Sequence, residues 1–127
     1  MAWQKLPQKL EEFCAWFNSE RKNIAQKRIE EQYAFSFLSH YKLVYMHPWA
    51  DGNGRMSRLL MNFIQYEAGI VPVIIKKENR AEYIQNLASS QEKDDAADFL
   101  QFMFSHQIRN LSEQIEEYKT SLEMSGN

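Results

Sequence analysis

The twelve residues from His47 to Arg58, HPWADGNGRMSR, hold the side chains of this chain best suited to chemistry. Gly52 and Gly54 bracket Asn53 directly before an amphipathic stretch. Glycine accepts positive φ, so this pair is expected to turn backbone amides inward. Amides converging at a helix start form a concave anion site, which the helix dipole reinforces. Arg55 and Arg58 are spaced i, i+3, which puts both guanidiniums on one side of that helix. Their planar forks suit phosphate oxygens. Asp51 adds a hard carboxylate of the kind that shares Mg²⁺ with phosphates. His47 is the group in the loop that takes a proton near neutral pH. A phosphate cradle, a metal ligand and a base are what phosphoryl or nucleotidyl transfer requires, because that catalysis is mostly positioning and charge neutralisation.

The same residues also have plainer readings. Asp-Gly and Asn-Gly also mark hairpin turns, but the flanks here are helical in pattern and no alternating strands accompany them. Asp51-x-Asn53 opens like a calcium loop. That motif then needs Asp or Asn, Gly and Glu where this chain has Arg55, Met56 and Asn62. Asn53 or Asp51 could cap the helix and still bind a ligand. Taken singly, the two arginines would be solvent-facing and a His before Pro would be structural. Their combination carries the functional reading.

The elements that must position this loop follow from periodicity. Leu6, Leu10, Phe13 and Phe17 mark one apolar helix face, with Pro7 in its first turn and a break at Asn18 and Ser19. A longer helix is predicted from Asn23 to Met46, ending before His47 because Pro48 disfavours helical geometry there. Met56, Leu59, Leu60, Phe63 and Ile64 form the cleanest stripe in the chain, and Gly69 is its expected stop. Residues Val71 to Ile75 read as an extended connection. Further helices are predicted from Glu78 to Ser90 and from Ala96 past Tyr118, joined by the polar segment Ser89 to Asp95. The expectation is an all-α bundle of about five helices forming one domain over residues 1–120, with a flexible tail at 121–127. Cys14 is expected to be half-buried, Met56 and Met61 core or near-core, and His40 and His106 ordinary helix residues.

Composition limits the function classes. The chain has 127 residues, 44% of them hydrophobic and 25% charged, which suits one globular core. Four Gly and three Pro against eight Phe, six Tyr and three Trp argue for long helices. A single Cys excludes a disulfide framework and a cysteine metal site. The net charge of −2 offers no basic field for nucleic acid or an anionic membrane. No signal peptide or membrane-length apolar run is visible, and a cytoplasmic location is expected.

HPWADGNGRMSR resembles the signature of the Fic (Fido) domain family, HPFx(D/E)GNGRxxR, with Trp49 in place of Phe. RLLMN, the AG-x-x-PVII run and Arg80-x-x-Tyr83 resemble the helix, crossover and following helix of Fic proteins. KLEEFCAWFN resembles a helix further upstream. The resemblance implies protein adenylylation: AMP moves from ATP to a hydroxyl of a target protein and pyrophosphate leaves. It implies His47 as general base, Asp51 as the Mg²⁺ ligand and Gly52, Asn53 and Gly54 as the anion hole. Arg55 and Arg58 would contact phosphates, Arg58 the γ-phosphate, and Tyr83 and Gln91 would lie near the nucleoside. Trp49 would anchor the loop in the core. The family's upstream β-hairpin flap is not expected in this chain, which leaves a nucleotide-binding remnant or interaction module as the alternative. An inhibitory partner protein is one way such a domain is restrained. The nearest match to the family's inhibitory helix, Ser112-x-x-x-Glu116, is followed by Glu117 where Gly or Asn is usual, and reads as a solvated face. The phosphate-moving branch of the family replaces the middle Gly. Gly54 is intact here, which favours AMP.

Overall fold

The structure, a computed structural model, describes residues 5–46 and 52–126. Five α-helices make up the described chain: α1 (Leu6–Arg21), α2 (Ile29–Met46), α3 (Asn53–Ala68), α4 (Arg80–Lys93) and α5 (Ala97–Gly126). Two short 3-10 turns, Ile24–Gln26 and Lys77–Asn79, lead into α2 and α4. Among the described residues there is no strand, and no helix is long and apolar enough to cross a membrane. The all-α, five-helix expectation holds.

Helix α2 is the central element. It packs against α1, α3 and α5 and buries Phe35, Phe37, Tyr41, Leu43 and Val44 together with the polar Ser36, Ser39 and His40. A helix enclosed on most sides has no clean apolar stripe, which explains its imperfect periodicity. Tyr33, Phe37 and Tyr41 from α2 join Met61, Val73, Tyr83, Phe99, Phe102 and Met103 in the main core. A smaller cluster of Ile24, Phe35 and Ile64 is covered by Trp16 and Phe17 of α1.

Several boundaries differ from the periodicity reading. Asn18 and Ser19 do not end α1, which runs on to Arg21. The helix-propensity deficit of Asn and Ser is only a few tenths of a kcal/mol each, roughly. Against it stand the packing of Trp16 and Phe17 on Phe35 and a two-pronged bond from Arg21 to Glu67 of α3, 2.7 Å at Nε. Asn23, at φ 61°, separates the first 3-10 turn from α1. Helix α4 starts at Arg80, not Glu78, and continues to Lys93. Asp94 closes it in the left-handed region at φ 53°, its amide and that of Asp95 bonding to Gln91 and Ser90 carbonyls. Gly69 caps α3 at φ 77°, as expected. Helix α5 passes residue 120 without a break and stays exposed to Gly126. Cys14 is exposed rather than half-buried, because α1 packs through Phe13, Trp16 and Phe17 instead.

The largest correction concerns α3. Its buried residues are Ser57, Met61, Ile64 and Gln65, whereas Met56, Leu59 and Phe63 are 43%, 63% and 48% exposed. Met56 is therefore not core, while Met61 is. The helix is rotated by its polar residues. Gln65 Nε2 donates to Ser36 Oγ at 3.0 Å, and Gln65 Oε1 accepts from the Val73 amide at 2.9 Å. Asn62 Nδ2 donates to the Val73 carbonyl at 3.1 Å. These bonds tie the irregular segment 70–76 to α3 and require Gln65 to point inward.

Candidate active site

The loop residues predicted as base and metal ligand, His47 and Asp51, and the anchor Trp49 lie outside the described residues. The remaining loop positions converge on the start of α3. Gly52 is the N-cap at φ 78°, and its carbonyl accepts from Met56 N at 2.9 Å. That left-handed φ is one that a side chain resists. Gly54 differs: it lies inside the first turn of α3 without positive φ. Its need for glycine is space. A Cβ at Gly54 would stand 3.2 Å from Arg58 Nη1 and 3.9 Å from its Cζ. At Gly52 a Cβ would stand 3.7 Å from Arg55 Nη2. Both guanidiniums thus fold back over the N-terminal turn of α3, where the positive end of the helix dipole lies.

The two arginines sit in different surroundings. Arg55 is exposed; Arg58 is half-buried, and its charge acts on the Tyr83 phenol. Tyr83 is 4% exposed, in tilted ring contact with Phe99 and Phe102 of α5, and its hydroxyl is hydrogen-bonded to His40 Nε2. Burial pushes the phenol's pKa up, while Arg58 opposes that shift. The His40 ring is 0% exposed, lies perpendicular to Tyr83 and sits 5.1 Å from the Phe99 ring centroid. Burial, helped by the Arg58 charge, lowers its pKa to about 3. Sequence reasoning passed over His40 as an ordinary helix residue. The available signal was a histidine in a Ser-x-x-Ser-His run on a helix too apolar to be a surface element.

Gln91 lies two turns beyond Tyr83 on α4 and is half-buried. Its Nε2 is enclosed and has no hydrogen-bond partner among the described residues. Nearby, the Tyr41 hydroxyl donates to the Ser90 carbonyl at 3.2 Å. This contact fixes the C-terminal half of α4 beside the last turns of α2, the end from which the 47–51 segment departs. Ser112 and Glu116 are exposed on α5, and Glu116 pairs with Lys119 at 3.9 Å. Among the described residues no three His, Cys, Asp or Glu side chains cluster to hold a metal.

A model of the Fic/DOC family matches residues 1–65, just over half of the 127-residue chain. The chain belongs to the Fic/DOC family. Among the relatives it resembles is the protein adenylyltransferase Fic of Drosophila mojavensis, 44% identical over 85 residues, which covers 67% of this chain and 16% of that protein. The namesake protein of Culex quinquefasciatus is 43% identical over 82 residues, 65% of this chain and 15% of the relative. That of Drosophila melanogaster is 42% identical over 85 residues, with 67% and 16% covered. The aligned part thus amounts to about a sixth of each curated relative's length. Within this Fic chain, the α3 start that carries the two arginines falls inside the matched span.

Proposed function

We propose that this Fic chain transfers AMP from Mg-ATP to a hydroxyl side chain (Ser, Thr or Tyr) of a target protein. The observation that carries the proposal is the pair of guanidiniums folded over a glycine-bearing helix N-terminus. In this reading the amides of Gly52, Asn53 and Gly54 receive phosphate oxygens, Arg55 contacts the phosphate chain and Arg58 reaches the γ-phosphate. Gln91, with its enclosed donor, lies on the nucleoside side, as does the Tyr83 face of α4. The relatives' printed name, protein adenylyltransferase, supports the same activity.

His47 takes the proton of the target hydroxyl as its oxygen bonds to the α-phosphorus. The bond from that phosphorus to the bridging oxygen breaks, and pyrophosphate leaves. A neutral imidazole suits this role, since its ordinary pKa of ~6.5 leaves it mostly unprotonated at neutral pH. Charge neutralisation by Mg²⁺ fits the donor set. One hard carboxylate, Asp51, stands in sequence beside anion-binding groups, as is common where most metal ligands are phosphate oxygens and water. The Arg55 and Arg58 charges act on the same developing negative charge from the protein side.

The test is incubation of the chain with α-phosphate-labelled ATP, Mg²⁺ and a cell lysate. Protein-bound label is expected from the wild type. His47→Ala is expected to lose it by about 10²-fold or more while retaining ATP binding. Label that survives His47→Ala at the wild-type rate contradicts the base assignment. Thermal stabilisation by Mg-ATP without any labelling contradicts transfer and leaves a nucleotide-binding module.

A further inference from the structure

We infer that the outer face of α5 pairs with the same face of a second copy of this chain, in an antiparallel two-helix coil. The inference goes beyond the proposed function and does not depend on it, because none of the residues involved belongs to the candidate active site.

Ile108, Leu111, Ile115, Tyr118 and Leu122 alternate at spacings of three and four residues. That alternation averages 3.5 residues, the repeat of a coiled-coil seam. On a helix it gathers the five side chains on one narrow strip. Helix α5 buries a different side, through Phe99, Phe102, Met103, His106 and Gln107, so the strip is turned away from the core. Ile108, Ile115, Tyr118 and Leu122 are each at least half exposed, and Leu111 is partly covered.

The strip runs out along the part of α5 that leaves the body. Among the described residues, the last ion pair from α5 to another segment joins Glu113 to Lys76 at 3.7 Å. From Gln114 to Gly126 the helix continues with every residue exposed. Helices of ~12–15 residues are marginal alone in water, and packing of an apolar face is what stabilises them.

Charge placement suits pairing of like with like. Glu113, Glu116, Glu117 and Glu123 fall on other sides of the helix, so two copies meet without opposing their acids. The seam is flanked by Ser112, Gln114, Lys119 and Ser121. In the antiparallel register Ser112 faces the second copy's Lys119 and Gln114 faces its Ser121, with no like charges opposed.

Side-chain size sets the direction. A parallel pair puts Tyr118 opposite itself, two phenols in one layer. The antiparallel pair sets Tyr118 against the second copy's Ile115 and Leu111 against its Leu122, so the large side chain meets a smaller one. Opposed helix dipoles favour the same direction. This arrangement is two-fold and self-complementary, which a second copy supplies. The seam and its flanks bury on the order of 1,000 Å² in total, near the ~1,200 Å² lower end of specific interfaces. The dimer is accordingly expected to be weak, with a dissociation constant of roughly 10–100 μM.

The test is sedimentation equilibrium of the full chain from about 1 μM to about 500 μM, a range that spans this constant. The average mass of the wild type is expected to rise from that of a monomer toward twice that value. Ile115→Glu puts a carboxylate into the seam from each copy and is expected to stay monomeric throughout. Its helicity and its melting temperature at low concentration are expected to match the wild type, because Ile115 is exposed in the monomer. Ile115→Leu is expected to dimerise as the wild type does. In a Cys14→Ser background, Leu111→Cys and Leu122→Cys chains are expected to cross-link to each other on oxidation and not to themselves. A wild type that stays monomeric over the whole range overturns the inference, as does an Ile115→Glu that dimerises like the wild type. Cross-linking of Leu111→Cys to itself overturns the antiparallel pairing, and this readout stands even if Ile115→Glu fails to fold.

Discussion

Gly52 and Gly54 stand two residues apart and are glycines for different reasons. At Gly52 the backbone sits at φ 78°. Gly52→Ala is expected to lower stability by about 1–2 kcal/mol through left-handed strain, measured as a shift in the urea midpoint. At Gly54 the backbone is helical, so alanine suits the chain locally and removes up to ~1 kcal/mol of glycine's helix penalty. Its Cβ would crowd Arg58 Nη1 at 3.2 Å, and the far end of a flexible side chain gives way easily. Gly54→Ala is therefore expected to hold or raise the melting temperature while weakening Mg-ATP binding. A variant that loses both stability and binding would contradict this separation. His40 carries a pH signature of its own. Its folded-state pKa, about 3, lies below the unfolded value, so the unfolded chain binds the extra proton between those two values. The His40 contribution is complete above pH ~6.5 and is lost as pH falls toward 3, by at most about 1.4 kcal/mol per unit. Urea denaturation at pH 7 and pH 5 is expected to show a smaller pH dependence for His40→Gln than for the wild type.

The helices show where periodicity suffices and where it misleads. Gly69 at a left-handed φ, the break in helix after it and the start of α3 directly after the glycine loop all follow from local residue chemistry. The burial of α3 does not. Met56, Leu59 and Phe63 form the better apolar stripe, yet the buried side carries Ser57 and Gln65. The partners that draw Gln65 inward are Ser36 on α2 and the Val73 backbone, and no local window contains them. Gln65→Leu keeps the volume and leaves the Val73 amide without its acceptor. It is expected to destabilise the chain by about 1–3 kcal/mol, read from chemical denaturation. Little or no loss would mean that Gln65 does not set the rotation of α3. The site divides the same way. Gly52, Gly54, Arg55 and Arg58 were legible because they are close in sequence and their spacing fixes their face. The His40–Tyr83 contact spans 43 residues, and only the packed bundle brings the two rings together.

For the whole molecule, one core must hold the three helices that meet at the site. Phe37 and Phe99 are both 0% exposed at its centre, and Phe37 meets Phe104 edge-on with ring centroids 5.0 Å apart. Phe37→Ala is expected to cost about 3–5 kcal/mol, a large share of the roughly 5–15 kcal/mol that stabilises a domain. A strongly lowered melting temperature, or failure to fold, checks this. Through that core α2, α3 and α4 act as one support for a phosphate-binding helix start, and the proposed transfer depends on that start gripping a triphosphate. Calorimetric titration of the wild-type chain and of Arg58→Ala with Mg-ATP and with AMP tests the grip most directly. The account predicts that the wild type binds Mg-ATP about tenfold or more tighter than AMP, as expected for a charge-assisted phosphate contact, and that Arg58→Ala removes most of the difference. Equal affinities of the wild type for Mg-ATP and AMP, or no binding of either, would contradict it.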